Sequence, residues 1–148
     1  MQNDHAVHLL NGLIETTLDS VNGYREAAEH IENPELRSMF EQRAGRRAQL
    51  SSELQGEVRT FGGEPKTDQS ALGALHNKFV ELKTGLTGDK DKAVVDEVER
   101  GEDAMKAKFE EAVEDDDLPS SARSLIERAL GMIQADHDDI STLKQRMH

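Results

Sequence analysis

The sequence predicts an all-α protein: four long helices folded as two antiparallel hairpins, with a shorter helix in the segment that joins them. Three observations carry that prediction. A motif repeats, apolar residues recur at alternating steps of three and four, and proline and glycine fall where such helices would begin and end. The motif is Arg37-Ser38-Met39-Phe40-Glu41 with Gly45 beyond it, and it returns as Arg123-Ser124-Leu125-Ile126-Glu127 with Gly131 beyond. Upstream, Tyr24-Arg25-Glu26-Ala27 aligns with Phe109-Glu110-Glu111-Ala112, a single inserted residue separating the two registers. Each copy of a repeated helix–turn–helix unit leaves an apolar face bare, and the two faces bury each other.

The first helix is expected over about His5–Ile31, where Leu10, Ile14, Thr17, Val21, Tyr24, Ala28 and Ile31 form one stripe. Asn33-Pro34-Glu35 starts the second. Asparagine caps the free amides of a helix start, and the missing N–H of proline costs nothing at the first helical position. This helix runs to about Phe61, where Gly62-Gly63 and then Pro65 stop it. Residues 63–88 are too many for a hairpin loop. They hold a stripe of their own, Leu72, Leu75, Phe79, Leu82 and Leu86, expected as a short helix begun near Ser70 and ended at Gly88. The third long helix follows from about Asp89 to Asp116 on Val94, Val98, Met105, Phe109 and Val113. The fourth is expected from Pro119 to near Met147 on Ala122, Ile126, Ala129, Ile133 and Ile140. One domain results, with a hairpin over 5–62, a crossover over 63–88 and a second hairpin over 89–147.

Composition narrows the function classes. At 148 residues the chain has room for one core, and with aromatics at 3% that core is built from Leu, Ile, Val, Met and Ala. There is no cysteine, so thiolate chemistry and disulfides are excluded. A formal net charge of −12 argues against a nucleic-acid partner, which calls for clustered Lys and Arg. No apolar run approaches the roughly 18 residues of a membrane span. Met1-Gln2-Asn3-Asp4-His5 lacks the basic start and apolar run of a signal peptide, so the expected location is the cytoplasm. The acids gather between Asp96 and Asp117, most simply as a solvated face, or else as one side of a contact with a basic partner.

Two hairpins joined by one long crossover is the topology of ferritin-like bundles. The segments Leu13-Ile14-Glu15, Gly23-Tyr24-Arg25-Glu26-Ala27-Ala28-Glu29, Phe61-Gly62-Gly63-Glu64-Pro65, Gly73-Ala74-Leu75-His76 and Glu99-Arg100-Gly101-Glu102-Asp103 carry a resemblance that spans most of the chain. In them the sequence resembles a bacterial family of ferritin-like four-helix-bundle proteins of unknown function. That resemblance implies the fold and a link to stress responses in some members, with no established reaction.

Ferritin-like di-iron sites take one Glu from each of two helices and Glu-x-x-His from each of the other two, because iron favours carboxylate oxygens and that spacing puts both ligands on one face. This chain has no Glu-x-x-His. The nearest echo is Gln134-Ala135-Asp136-His137, whose repeat partner Ala48-Gln49-Leu50-Ser51 offers no suitable ligand. Stepping about 100° per residue places Arg43 and Arg47 within the inward face of the second helix, and Glu102 between Val98 and Met105 on the third. Asp136 and His137 then flank the stripe of the fourth helix, while the first contributes Thr17 and Tyr24. Hairpin geometry brings Arg47, Glu102 and Asp136 or His137 to one height.

Two readings follow. In one, Arg43, Arg47, Glu102, Asp136, His137 and Tyr24 make a buried polar network without a cofactor, Arg47 standing where a metal would be. In the other, Glu102, Asp136 and His137 bind iron or another divalent metal. The network is preferred, because arginine cannot shed its proton to suit a cation. The corresponding functions are a non-enzymatic, stress-associated or interaction protein with a degenerate di-iron site, and an iron-handling or metal-dependent oxidoreductase. A homodimer through Leu72, Phe79 or Leu86, or a protein partner, is expected. Glu15, His5-Ala6-Val7-His8, Asp89-Lys90-Asp91, Asp115-Asp116-Asp117 and His76 are most simply solvated or flanking residues, the acidic runs lacking the glycine and final Glu of a calcium loop.

Overall fold

The computed structural model describes residues 2–68 and 90–147. Among these residues there are four helices, α1 (Gln2–His30), α2 (Pro34–Thr60), α3 (Lys90–Val113) and α4 (Ser120–Met147), and no strand. The expected short helix at 70–88, with its Leu72–Leu86 stripe, His76 and the proposed dimer face, lies outside the described residues.

Turn chemistry sets the boundaries. Asn33 caps α2, its Oδ1 accepting the amides of Glu35 at 2.9 Å and Leu36 at 3.2 Å, with Pro34 at the first helical position. The far end of α2 closes in a Schellman pair: the Gly62 amide donates to Arg59 and the Gly63 amide to Val58. Gly62 sits at φ +80°, where a side chain would strain the backbone. Gly63 has no room for one, since a Cβ there would lie 2.6 Å from Val7 Cγ1. The chain then crosses α1, with the Lys66 amide donating to Asn11 Oδ1 and the Asn11 amide group to Glu64 O.

The two arginines of the repeated motif perform one task twice. Arg37 donates from Nε to Ala28 O at 3.1 Å and from Nη2 to Ile31 O at 2.8 Å. Arg123 donates from Nη1 to Val113 O at 2.6 Å and from Nη2 to Asp115 O. Each guanidinium thus satisfies the orphaned carbonyls of the helix before it and sits at the negative end of that helix dipole. Arg123 also explains why α3 stops at Val113, short of the expected Asp116: Asp115–Asp117 form a turn in which Asp115 Oδ1 accepts the Asp117 amide. The α4 boundary differs from expectation for a related reason. Pro119 stands just outside the helix and its carbonyl accepts the Arg123 amide, as that of Asn33 accepts Arg37, so the inserted residue puts the two prolines one position out of register.

Both ends of the bundle are latched. Asp91, in the first turn of α3, accepts the amides of Glu32 at 2.7 Å and Asn33 at 3.0 Å. His5, in the first turn of α1, bonds to Asp115 at 2.6 Å. The α1–α2, α3–α4 and α1–α3 pairs pack closely, whereas the backbones of α2 and α4 stand further apart. The apolar interior is divided in two. One cluster gathers Leu10, Ile14, Leu54, Met105, Phe109, Ile126 and Ile133, and the other Tyr24, Ile31, Phe40, Val94, Val98 and Ile140.

Arg37→Ala and Arg123→Ala are each expected to lower the unfolding free energy by about 1–3 kcal/mol, because a charged donor is lost from half-buried carbonyls. Urea denaturation checks this against the exposed control Lys108→Ala, which should change it by less than about 0.5 kcal/mol. Equal effects from all three would mean that water serves the carbonyls equally well.

Candidate functional site

Between the two apolar clusters lies a layer of buried polar side chains, to which every helix contributes. Arg47 of α2 is its centre and is completely shielded from solvent, while Glu102 of α3 is 2% exposed and Asp136 of α4 is 6% exposed. Arg47 grips Glu102 with both terminal nitrogens, Nη1 to Oε1 at 2.8 Å and Nη2 to Oε2 at 2.9 Å. The same Nη2 reaches Asp136 Oδ2 at 3.0 Å. Nη1 also faces Ser20 Oγ and Met105 Sδ, each at 2.9 Å. Among the described residues, Arg47 Nε has no hydrogen-bond partner.

Tyr24 closes the α1 side. Its hydroxyl donates to Glu102 Oε1 at 2.8 Å, and its ring lies 5.4 Å below the Arg47 guanidinium and 5.7 Å from the ring of Phe40. Burial, reinforced by the negative charge of Glu102, raises the Tyr24 phenol far above its ordinary value of 10.0, so it stays protonated and donates. Burial opposes the positive charge of Arg47, but the hydrogen bond and charge of Glu102, followed by Tyr24 and Asp136, more than offset it.

One turn before Arg47, Arg43 is also buried. Its Nε lies 3.5 Å from Asp136 Oδ1, and its Nη2 pairs with Asp139. The half-exposed Arg46 approaches Asp136 Oδ1 at 3.5 Å. Among the described residues, buried Arg43 and Arg47 are therefore balanced by Glu102 and Asp136, as they must be where unpaired ions cost several kcal/mol each. These long side chains span the wider α2–α4 gap. Beside them runs a groove of about 380 Å³ lined by Leu36, Met39, Leu143, Asp139 and Arg146 among others.

Among the residues singled out from the sequence, Tyr24, Arg43, Arg47, Glu102 and Asp136 meet in this layer. His137 does not. It lies about 100° round α4 from Asp136, and its Nε2 pairs with Asp103 at the surface, so Glu102, Asp136 and His137 form no three-ligand set. Thr17 is fully buried, with its hydroxyl donating to Leu13 O in its own helix. Glu15, expected in solvent, is only one-third exposed and lies 4.0 Å from Lys66.

Ser20, Arg46 and Asp139 were missed, although spacing marks two of them. Ser20 stands four residues before Tyr24, and Asp139 three after Asp136, each on the same helical face. His5, expected to be solvated, bonds to Asp115. The one group of three metal-ligating side chains that converges among the described residues is His5, Asp115 and Asp117, whose ligand atoms lie within 4.8 Å of one another at an exposed end of the bundle.

A family model for a domain of unknown function, DUF2383, matches residues 5–115. The chain belongs to the DUF2383 family. Among solved structures, a bacterioferritin from Desulfovibrio desulfuricans, described as having a diiron site, superposes with a TM-score of 0.81 at 14% identity, over 99% of this chain and 81% of that one. A Dps1 variant from Mycobacterium smegmatis gives 0.79 at 12% identity over 97% of each chain. A dodecameric thioferritin, the bacterioferritin-related protein of Bacteroides fragilis, gives 0.77 at 12% identity over 98% of this chain and 87% of that one. At such identities the likeness is one of fold, an all-α ferritin-like four-helix bundle. No curated protein matches the DUF2383 chain, and none of its described helices is long and apolar enough to cross a membrane.

The fold raises the question of a di-iron centre, and the donor set answers it. Among the described residues, the polar layer offers Tyr24, Arg47, Glu102 and Asp136 from the four helices: two carboxylates rather than four, no histidine, and a permanent cation bonded to both. These residues do not fit a di-iron centre.

Arg47→Ala should destabilise the fold by about 3–5 kcal/mol, because Glu102 and Asp136 are left buried with too little positive charge. A loss below about 0.5 kcal/mol in urea titration would place the guanidinium in solvent. The alkaline titration of Tyr24 provides a second check, as it is the only tyrosine and there is no tryptophan. A pKa raised in the folded state stabilises at every pH below the ordinary phenol value and loses that contribution as pH rises towards the folded value. Phenolate absorbance should therefore appear together with loss of helical circular dichroism, above the range of free tyrosine. Ionisation at the ordinary value of 10.0 with helices intact would mean that the ring is not enclosed.

Proposed function

We propose that this protein is a non-enzymatic ferritin-like bundle, an interaction or stress-associated module in which an ion-pair network occupies the centre that bundles of this fold use for metal. The observation that carries the reading is the Arg47 guanidinium, fully buried and within 3.0 Å of both Glu102 and Asp136. A metal-dependent oxidase needs open coordination positions and ligands free to hold the ion. Here both carboxylates are already committed to a group that can neither ligate nor lose its charge. The function then rests on the outside of the bundle. Self-association is part of the proposal, supported by the dodecameric assembly named for the Bacteroides fragilis neighbour.

Untagged protein, purified and analysed for metals, should carry iron far below one ion per chain and should not accelerate ferrous oxidation. Light scattering should give a mass above that of a 148-residue chain. Surface metal at His5, Asp115 and Asp117 is recognised by its loss in His5→Ala. Stoichiometric iron that survives His5→Ala and disappears in Glu102→Gln would overturn the reading.

A further inference from the structure

We infer that Arg47 is a built-in substitute for a divalent cation, and that Glu102 and Asp136 form a latent metal site which this one side chain keeps closed. The inference rests on the reading above and adds a statement about the chemistry of the layer itself.

Three observations lead to it. First, two carboxylate oxygens from different helices converge on a single atom: Arg47 Nη2 lies 2.9 Å from Glu102 Oε2 and 3.0 Å from Asp136 Oδ2. Convergence of oxygens on one positive point is what a hard divalent ion requires, at bonds of about 2.0–2.2 Å, so the carboxylates need close in by only about 1 Å. Second, the other terminal nitrogen is surrounded as well: Arg47 Nη1 lies 2.8 Å from Glu102 Oε1, 2.9 Å from Ser20 Oγ and 2.9 Å from Met105 Sδ, and the Tyr24 hydroxyl holds Glu102 Oε1 at 2.8 Å. The carboxylates that meet at Nη2 suit Mn²⁺ or Mg²⁺ better than a soft ion. Third, the charges demand a replacement. Without Arg47, the buried charges among the described residues are Glu102 and Asp136 against Arg43, and a buried negative excess attracts a cation.

The guanidinium therefore does two things. It supplies the charge that the carboxylates need, and it fills the space that an ion would take. Because it cannot be deprotonated, no accessible pH opens the site in the native protein. The layer is formed without metal supply, and its assembly does not depend on iron.

The experiment compares the wild-type chain with Arg47→Ala, Arg47→Gln and Arg47→Lys, using Mn²⁺ as the probe. Binding is followed by loss of the free-ion electron paramagnetic resonance signal, and stability by thermal melting. The exposed His5, Asp115 and Asp117 group is common to all four proteins, so only the difference from wild type reports on the centre. Arg47→Ala and Arg47→Gln should each bind one additional Mn²⁺ per chain and melt several degrees higher with it, because a ligand held by the native state alone raises stability. If either is unfolded alone, it should regain helical circular dichroism on adding Mn²⁺. Adding Glu102→Gln should abolish the gain. Arg47→Lys, which keeps a charge in place, should gain nothing.

Failure of both neutral variants to bind additional Mn²⁺ or to gain stability or helicity from it overturns this inference and leaves the metal-free reading intact. Binding of central Mn²⁺ by the wild-type chain, sensitive to Glu102→Gln, would instead sink the metal-free reading itself.

Discussion

A guanidinium that cannot be neutralised and cannot reach water dictates where its neighbours stand. Arg47 is wholly enclosed, so folding must bring carboxylates to it, and those carboxylates come from two other helices. Glu102 is fixed along α3 and Asp136 along α4, each to within the reach of a hydrogen bond. A slide of α2 by a single turn, about 5.4 Å, would break both contacts, and a slide of α3 or α4 would break its own. Apolar stripes alone do not provide such discrimination, since Leu, Ile and Val pack nearly as well one turn along. The network thus contributes registry more than net stability, the best-attested use of buried ion pairs.

The repeat is mechanically exact where the turns are concerned and broken where the charges are. Arg37 and Arg123 cap the preceding helices in the same manner, and a residue from the first turn of one hairpin latches the turn of the other at each end. In the layer, by contrast, the first hairpin supplies Tyr24, Arg43 and Arg47, and the second supplies Glu102 and Asp136, with Asp139 pairing Arg43 from the surface. Two copies of the first hairpin facing each other would bring cation to cation. Two copies of the second would bring carboxylate to carboxylate. The halves have therefore become complementary, and pairing between unlike halves is enforced by charge.

Much of this was legible before any coordinates. Helical spacing exposed the four long helices, and proline and glycine located their ends to within a few residues. Arg43 and Arg47 stood out as cations inside an apolar stripe, and hairpin counting put Glu102 and Asp136 at their height. His137 was misplaced, because a residue flanking a stripe by about 100° turns in or out according to the partner it finds, and Asp103 on α3 captures it. The ends of α3 and α4 were misjudged by up to three residues, since Arg123 and the Asp115 turn compete with continued helix. Asp139 and Ser20 carried a same-face signal but no apolar context to draw attention, and their roles emerge only once Arg43 and Arg47 have extended towards them.

The division of the apolar interior has a consequence for how such a chain tolerates change. Phe109 and Leu54 lie on one side of the polar layer, Phe40 and Val94 on the other. A change of volume at one end reaches the other through the layer, where Met105 and Tyr24 touch Arg47 from the two sides and charge and hydrogen bonds hold the positions. The two ends behave as compartments on a common spindle, and refilling either with different aliphatic side chains is felt by the spindle that keeps the helices aligned.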